Sequence, residues 1–276
     1  MSPHPSIDSS LDRSSLRSFA LMSSFFFLGF KAEIKLFVPS LLQSVFLLII
    51  LYVFYRMWTI ASLGSYQPYQ LVWYLTLTEL VTLSAPRTRS DIEQEMSDGS
   101  YAVMLQKPLN YGVIKIAEGA GRACGKLPIL LAVGGGAAIA FTGAIPEVLQ
   151  QPLGIVVVGV LTIAATVVSA IYLCAIGLLA AFIRDTGPIW WVWQKLGFIF
   201  GGLMVPLVLY PEWMQQFAKL TPFYYLLFGV GRFVLDESLN AAPAMATGIA
   251  AWGMLGVLCV LLLQRKIEND IIGEGG

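Results

Sequence analysis

Several stretches of this chain run for about twenty residues with almost no charge, enough to cross a hydrocarbon core of about 30 Å. Backbone groups find no water there, so a spanning segment is either a helix or one strand of a closed barrel. The apolar runs are continuous rather than alternating, which selects helices. Composition agrees: of 276 residues 57% are hydrophobic and only 12% charged, whereas soluble domains carry about a quarter charged residues. The expected fold is an all-α integral membrane protein of about six transmembrane helices.

Residues 1–18, rich in serine, proline and charge, read as a disordered cytoplasmic tail. An apolar stretch from Phe19 to Phe30 follows Arg13 and Arg17 and runs straight into Lys31, Glu33 and Lys35, without a small-x-small cleavage site. It reads as a helix over 19–35 lying in the membrane interface. The spans are expected at about 36–57, 70–86, 127–146, 153–183, 188–209 and 242–263. The third helix starts near Tyr111 and enters lipid near Leu127. Residues 265–276 form a second cytoplasmic tail, and 19–264 make a single transmembrane domain.

Lysine and arginine in short loops set orientation. One set of segments holds Arg13, Arg17, Lys31, Lys35, Arg87, Arg89, Lys107, Lys115, Arg122, Lys126, Arg184, Arg265 and Lys266; the other holds little beyond Arg56, Lys219 and Arg232. Both termini are therefore expected in the cytoplasm of a multi-pass cell-membrane protein. The 17 basic and 17 acidic side chains cancel, so nothing draws the chain to nucleic acid.

Enzyme chemistry finds no foothold. The three cysteines (Cys124, Cys174 and Cys259) are far apart, and the one histidine is His4. Zinc, haem and histidine-dependent nucleophiles are not expected. Gly119–Leu127, GAGRACGKL, departs from the phosphate-binding loop in glycine spacing and lacks Ser or Thr after its lysine. Running through it, Lys115, Glu118, Arg122 and Lys126 share one helix face, with Glu118 and Arg122 paired at i,i+4; that face is either a solvated surface or a docking stripe.

Two polar segments carry more information. In 87–110, Ser90-x-x-Glu93 is a capping box, Asp91, Glu93 and Glu95 fall where a helix dipole favours anions, and Gly99 supplies a stop. A short acidic helix is expected, followed by an apolar return over 101–111. In 205–237, Pro206, Pro211 and Pro222 break the chain into short pieces on the outer side. Residues 212–219 form one such piece, and 223–234 dip back into lipid.

At these segments the chain resembles a permease subunit of the ABC-2 type, the exporter class of ATP-binding-cassette transporters. The resemblance rests on Gly99-x-Tyr101 and Lys107-Pro108-Leu109-x-Tyr111 in the first. In the second it rests on Pro206, Pro211-Glu212-Trp213 and Thr221-Pro222-Phe223-x-Tyr225. It implies a half-transporter that dimerises, as homodimer or heterodimer, and seats a coupling helix in a separate cytoplasmic ATPase. Asp91, Ile92, Glu93, Glu95 and Met96 would make that contact. ATP and magnesium would bind the ATPase, leaving no cofactor on this chain. The short outer helices before the last span, with Pro211, Trp213, Pro222, Phe223 and Arg232, would gate the path. Export as the direction also follows from the resemblance alone.

Glu79, ionisable and inside the second span, is either a pathway residue or an interfacial one. Lys195 is expected to snorkel. Trp190, Trp191 and Trp193 read as an interfacial anchor, Gly134–Gly136, Gly143 and Gly201-Gly202 as packing sites, and Arg232 with Asp236 as an i,i+4 pair. The competing functions are a secondary transporter using Glu79 and a membrane-embedded lipid-modifying enzyme. The first lacks a matching pair of broken helices, and the second lacks intramembrane histidine or paired aspartates. The substrate is expected to be amphipathic.

Overall fold

The computed structural model describes the backbone of residues 8–35, 37–60, 66–104 and 110–274, with side chains from 18 to 270 apart from 36–40, 61–65 and 105–109. Every regular element among them is helical. In chain order these are α1 (Asp8–Lys35), α2 (Phe37–Ile60), α3 (Pro68–Leu83), α4 (Thr88–Ser97), α5 (Tyr101–Met104), α6 (Tyr111–Thr142), α7 (Glu147–Gln150) and α8 (Pro152–Leu178). A 3₁₀ turn (Leu179–Ala181), α9 (Gly187–Phe200), a second 3₁₀ turn (Leu207–Leu209) and α10 (Glu212–Ala218) follow. A π-helical turn (Tyr224–Phe228), α11 (Gly229–Asp236) and α12 (Ala242–Glu274) complete the chain.

Among the described residues four helices are long and apolar enough to cross a membrane: α2, α6, α8 and α12. This identifies a helical membrane protein. The other two expected spans are shorter. α3 has 16 residues, about 24 Å at 1.5 Å per residue, and the middle of it, from Leu71 to Val81, is wholly buried. α9 has 14 residues, about 21 Å, and stops at Phe200 instead of continuing to 209. Gly202 there takes a left-handed backbone (φ +57°), a conformation open to glycine without steric cost, and Pro206 lacks the N–H a helix would need.

Helix extends into both end segments. α1 already begins at Asp8, because no proline or glycine interrupts 8–18. Residues 1–7 lie outside the described set. α12 continues past residue 264 to Glu274; its acid and amide residues there are ordinary helix formers. The fourth helix gives up α geometry at Leu178 and tightens into the 3₁₀ turn before Arg184.

Small residues set the closest crossing. A β-carbon on Gly121 would strike the Phe26 carbonyl, and one on Gly125 would lie 3.0 Å from the Phe30 carbonyl and 3.2 Å from Glu33 Cβ. α1 therefore lies backbone to backbone along the first half of α6, while Phe27 and Leu28 face outward. Glycines of the GAGRACGKL segment thus serve helix contact, as small residues do in membranes. Gly134 packs against Leu47 and Thr76, whereas Gly136 faces open space and Gly143 (φ +65°) caps α6.

Candidate functional site

The short acidic helix forms, but its start differs from the expected one. α4 begins at Thr88, its N-cap Arg87 makes no side-chain cap, and the Ser90 hydroxyl donates back to the Arg87 carbonyl (2.8 Å). The capping box is absent because Glu93 is engaged elsewhere. It accepts from Arg89 Nη1 (2.6 Å), Thr186 Oγ1 (3.0 Å) and the Thr186 amide (3.0 Å). Gly99 (φ +78°) stops the segment as expected. Asp98 accepts from the Ser100 amide and hydroxyl, and these bonds hold its carboxyl below the usual range.

Most residues expected to face an ATPase point back into this chain. Arg122 Nη1 reaches Asp91 Oδ2 at 2.7 Å and its Nη2 reaches Glu118. Lys115 Nζ lies 2.5 Å from Glu95 Oε1 and 3.4 Å from Glu118 Oε2, and the Tyr111 hydroxyl donates to Glu95 Oε2 (2.7 Å). Ile92 is fully buried with Tyr101, Tyr111, Cys174 and Leu178; Met96 packs on the same cluster. The α6 stripe is thus neither a solvated face nor an open docking stripe, because α4 covers it. Lys126 reaches the other way, to Glu33 of α1 (3.5 Å) and the Ala85 carbonyl. What α4 leaves exposed is Arg87, Ser90, Gln94, Ser97 and Asp98, a polar face recurring at helical spacing.

α4 is also held to α8 and α9. A β-carbon on Gly177 would sit 3.1 Å from Arg89 Cα and Ile92 Cβ, so glycine lets α4 rest on α8. The Arg89 guanidinium lies over the Trp190 ring at 5.2 Å, a cation–π contact. Trp190 begins a small cleft walled by Trp193, Gln194, Gly197 and Phe198 of α9, Ser169 of α8 and Phe223 of the π-turn segment. Trp193 stacks on Tyr172 (4.8 Å) and tilts against Phe223 (4.5 Å). Of the three tryptophans expected as an anchor, only Trp191 is largely exposed. Lys195 rests over the rings of Trp191 and Phe198.

The broken end of α9 forms the floor of this region. Tyr74 Oη donates to the Gly202 carbonyl (2.5 Å) and Thr78 Oγ1 to the Leu203 carbonyl (3.2 Å). Two side chains of α3 thereby satisfy carbonyls freed where the helix stops, which is how irregular backbone persists at membrane depth. Glu79, one residue on, is 2% exposed and makes no hydrogen bond or ion pair among the described residues.

At the opposite end, Pro211 caps α10 and Trp213 is largely exposed. Pro222 and Phe223 lead into the π turn, a geometry frequent at functional sites, and Phe223 is buried. Arg232 pairs with Asp236 (2.6 Å) as expected. Sequence reading missed Glu237: in a left-handed conformation (φ 46°), it accepts from Tyr69 Oη (2.6 Å) and Gln70 Nε2 (3.1 Å). This ties the start of α3 to the end of α11. Lys107, Pro108 and Leu109 lie outside the described residues. Within the described set no histidine, cysteine or acid cluster could hold a metal.

No family model matches the chain, and no curated protein matches it either.

Proposed function

We propose that this chain is the membrane permease subunit of an ATP-binding-cassette exporter of the ABC-2 type, working as a dimer with a separate ATPase. The carrying observation is the attachment of α4. A short polar helix at one end of the bundle is ion-paired to α6 through Asp91 and Glu95, and bonded to the α8–α9 turn through Arg89 and Glu93. A push on its exposed face would reach the long helices α6 and α8, and through Arg89 the aromatic cleft beside Trp190 on α9.

On this reading α3 and α9 are the two short members of a set of six spans. α4 and both chain ends lie in the cytoplasm, α1 lies at the interface, and the protein resides in the cell membrane. The segment from Pro211 through Arg232 gates the outer end. ATP and magnesium act on the partner. Asp91, Glu93 and Glu95 transmit movement inside this chain, while Ser90, Gln94 and Ser97 touch the ATPase. Mild extraction of the tagged chain followed by mass spectrometry tests this: an ATPase subunit in the purified complex supports it, and its absence across several detergents overturns it.

One observation favours a second reading, ion-coupled transport. Glu79 is an ionisable side chain buried inside α3 with no hydrogen bond or ion pair among the described residues, and an ionisable group at that depth marks an ion pathway. Transport that persists without ATP and collapses with the proton gradient would select it.

A further inference from the structure

Beside α4 lies a crevice of about 590 Å³ walled by Glu93, Met96, Tyr101, Phe182, Ile267 and Asp270, with Arg184 at its lip. It is formed by α4, α5, the 3₁₀ turn after α8 and the last turns of α12. The charge on the helix that walls it makes lipid a poor occupant. α12 runs on from Gln264 through Arg265, Lys266, Glu268, Asn269 and Asp270, too charged to sit in hydrocarbon. The crevice nonetheless has an apolar floor: Met96, Tyr101 and Ile267, with Phe182 38% exposed. An apolar floor inside a polar rim, facing water, is the anatomy of a protein contact.

We propose that this crevice receives a protruding segment of the partner ATPase, an apolar side chain followed by a carboxylate; the assignment rests on the permease reading above. The carboxylate follows from charge. Glu93 is already occupied by Arg89 and Thr186, and Lys266 Nζ lies over the Phe182 ring at 4.6 Å. Arg184 is exposed and carries no ion pair among the described residues, so it is the cation open to a partner. Asp270, also in the wall, repels a second acid, and rim charges of opposite sign favour one way of entry. The crevice is continuous with the exposed face of α4 through Ser97. The ATPase contact is therefore composite, and the end of α12 belongs to it.

Phe182→p-benzoylphenylalanine in the full chain, irradiated in the native membrane, tests this, alongside the same label at Ser90 on α4. The crevice assignment predicts an adduct with the ATPase from position 182, reduced about tenfold by Arg184→Glu, the equivalent of 1.4 kcal/mol. Arg184 is exposed, so the Arg184→Glu chain should keep its melting temperature. Capture from position 90 with none from 182, or adducts from 182 only to lipid or a second copy, would overturn the crevice and leave the permease reading standing. Capture from neither position would overturn both. An undiminished yield in Arg184→Glu would overturn the assigned chemistry.

Discussion

Arg122 Nη1 of α6 lies 2.7 Å from Asp91 Oδ2 of α4 while its Nη2 holds Glu118. One guanidinium thus joins the short helix to a long one. These side chains are about a quarter exposed, so water screens the pair only in part. Arg122→Ala strands two carboxylates and should destabilise the protein by about 1–3 kcal/mol. At about 2–4 °C per kcal/mol, a thermal melt in detergent reads this directly. The swap Asp91→Arg with Arg122→Asp should recover part of the loss; no loss in Arg122→Ala would show that the pair does not hold α4.

The α1–α6 crossing makes a contrast between two glycines of the same helix. Gly125→Ala places a methyl 3.0 Å from the Phe30 carbonyl and should cost about 1–3 kcal/mol of overpacking. Gly136→Ala meets nothing within 4 Å and should gain about 0.5–1 kcal/mol from helix propensity. Equal melting temperatures for the two variants would mean that α1 does not pack there.

Tyr74→Phe removes the hydroxyl that caps the Gly202 carbonyl. Tyr74 is fully buried, so the carbonyl gains no water and the variant should lose about 1–3 kcal/mol. Loosening should be local to the end of α9. Hydrogen exchange on the amides from 201 to 205 is the measurement, and unchanged protection there would contradict the assignment.

Glu79 gives the opposite expectation. An acid buried without a partner is a cost to the fold, so Glu79→Gln should raise stability by about 1 kcal/mol. If transport is ATP-driven, the variant keeps it. Loss of transport with higher stability would instead mark Glu79 as the seat of ion coupling.

The membrane class and most helix positions were legible in the sequence because apolar runs and prolines act locally. α6 begins at Tyr111 and the Arg232–Asp236 pair forms, both features of spacing along one helix. What was not legible depends on neighbours distant in sequence. Ser90 and Glu93 have the pattern of a capping box, but Thr186 binds Glu93 first. Lys115, Glu118 and Arg122 look like a solvated stripe until α4 covers them. Glu237 carries no motif, and its role follows from Tyr69 and Gln70 meeting it across the fold. The same blindness hid which face of α4 is covered, because nothing in α4 alone says which face α6 and α8 take.

On the proposed function, α4 presents Ser90, Gln94 and Ser97 to an ATPase while its acids hold it to this chain. Recovery of ATPase with the tagged full chain should therefore be compared among wild type, Asp91→Asn and a Ser90→Trp, Gln94→Trp double variant. A stoichiometric ATPase is expected with wild type, near-normal recovery with Asp91→Asn, and loss with the double variant at an unchanged melting temperature. Undiminished recovery with the double variant, or no ATPase with wild type, would contradict that proposal.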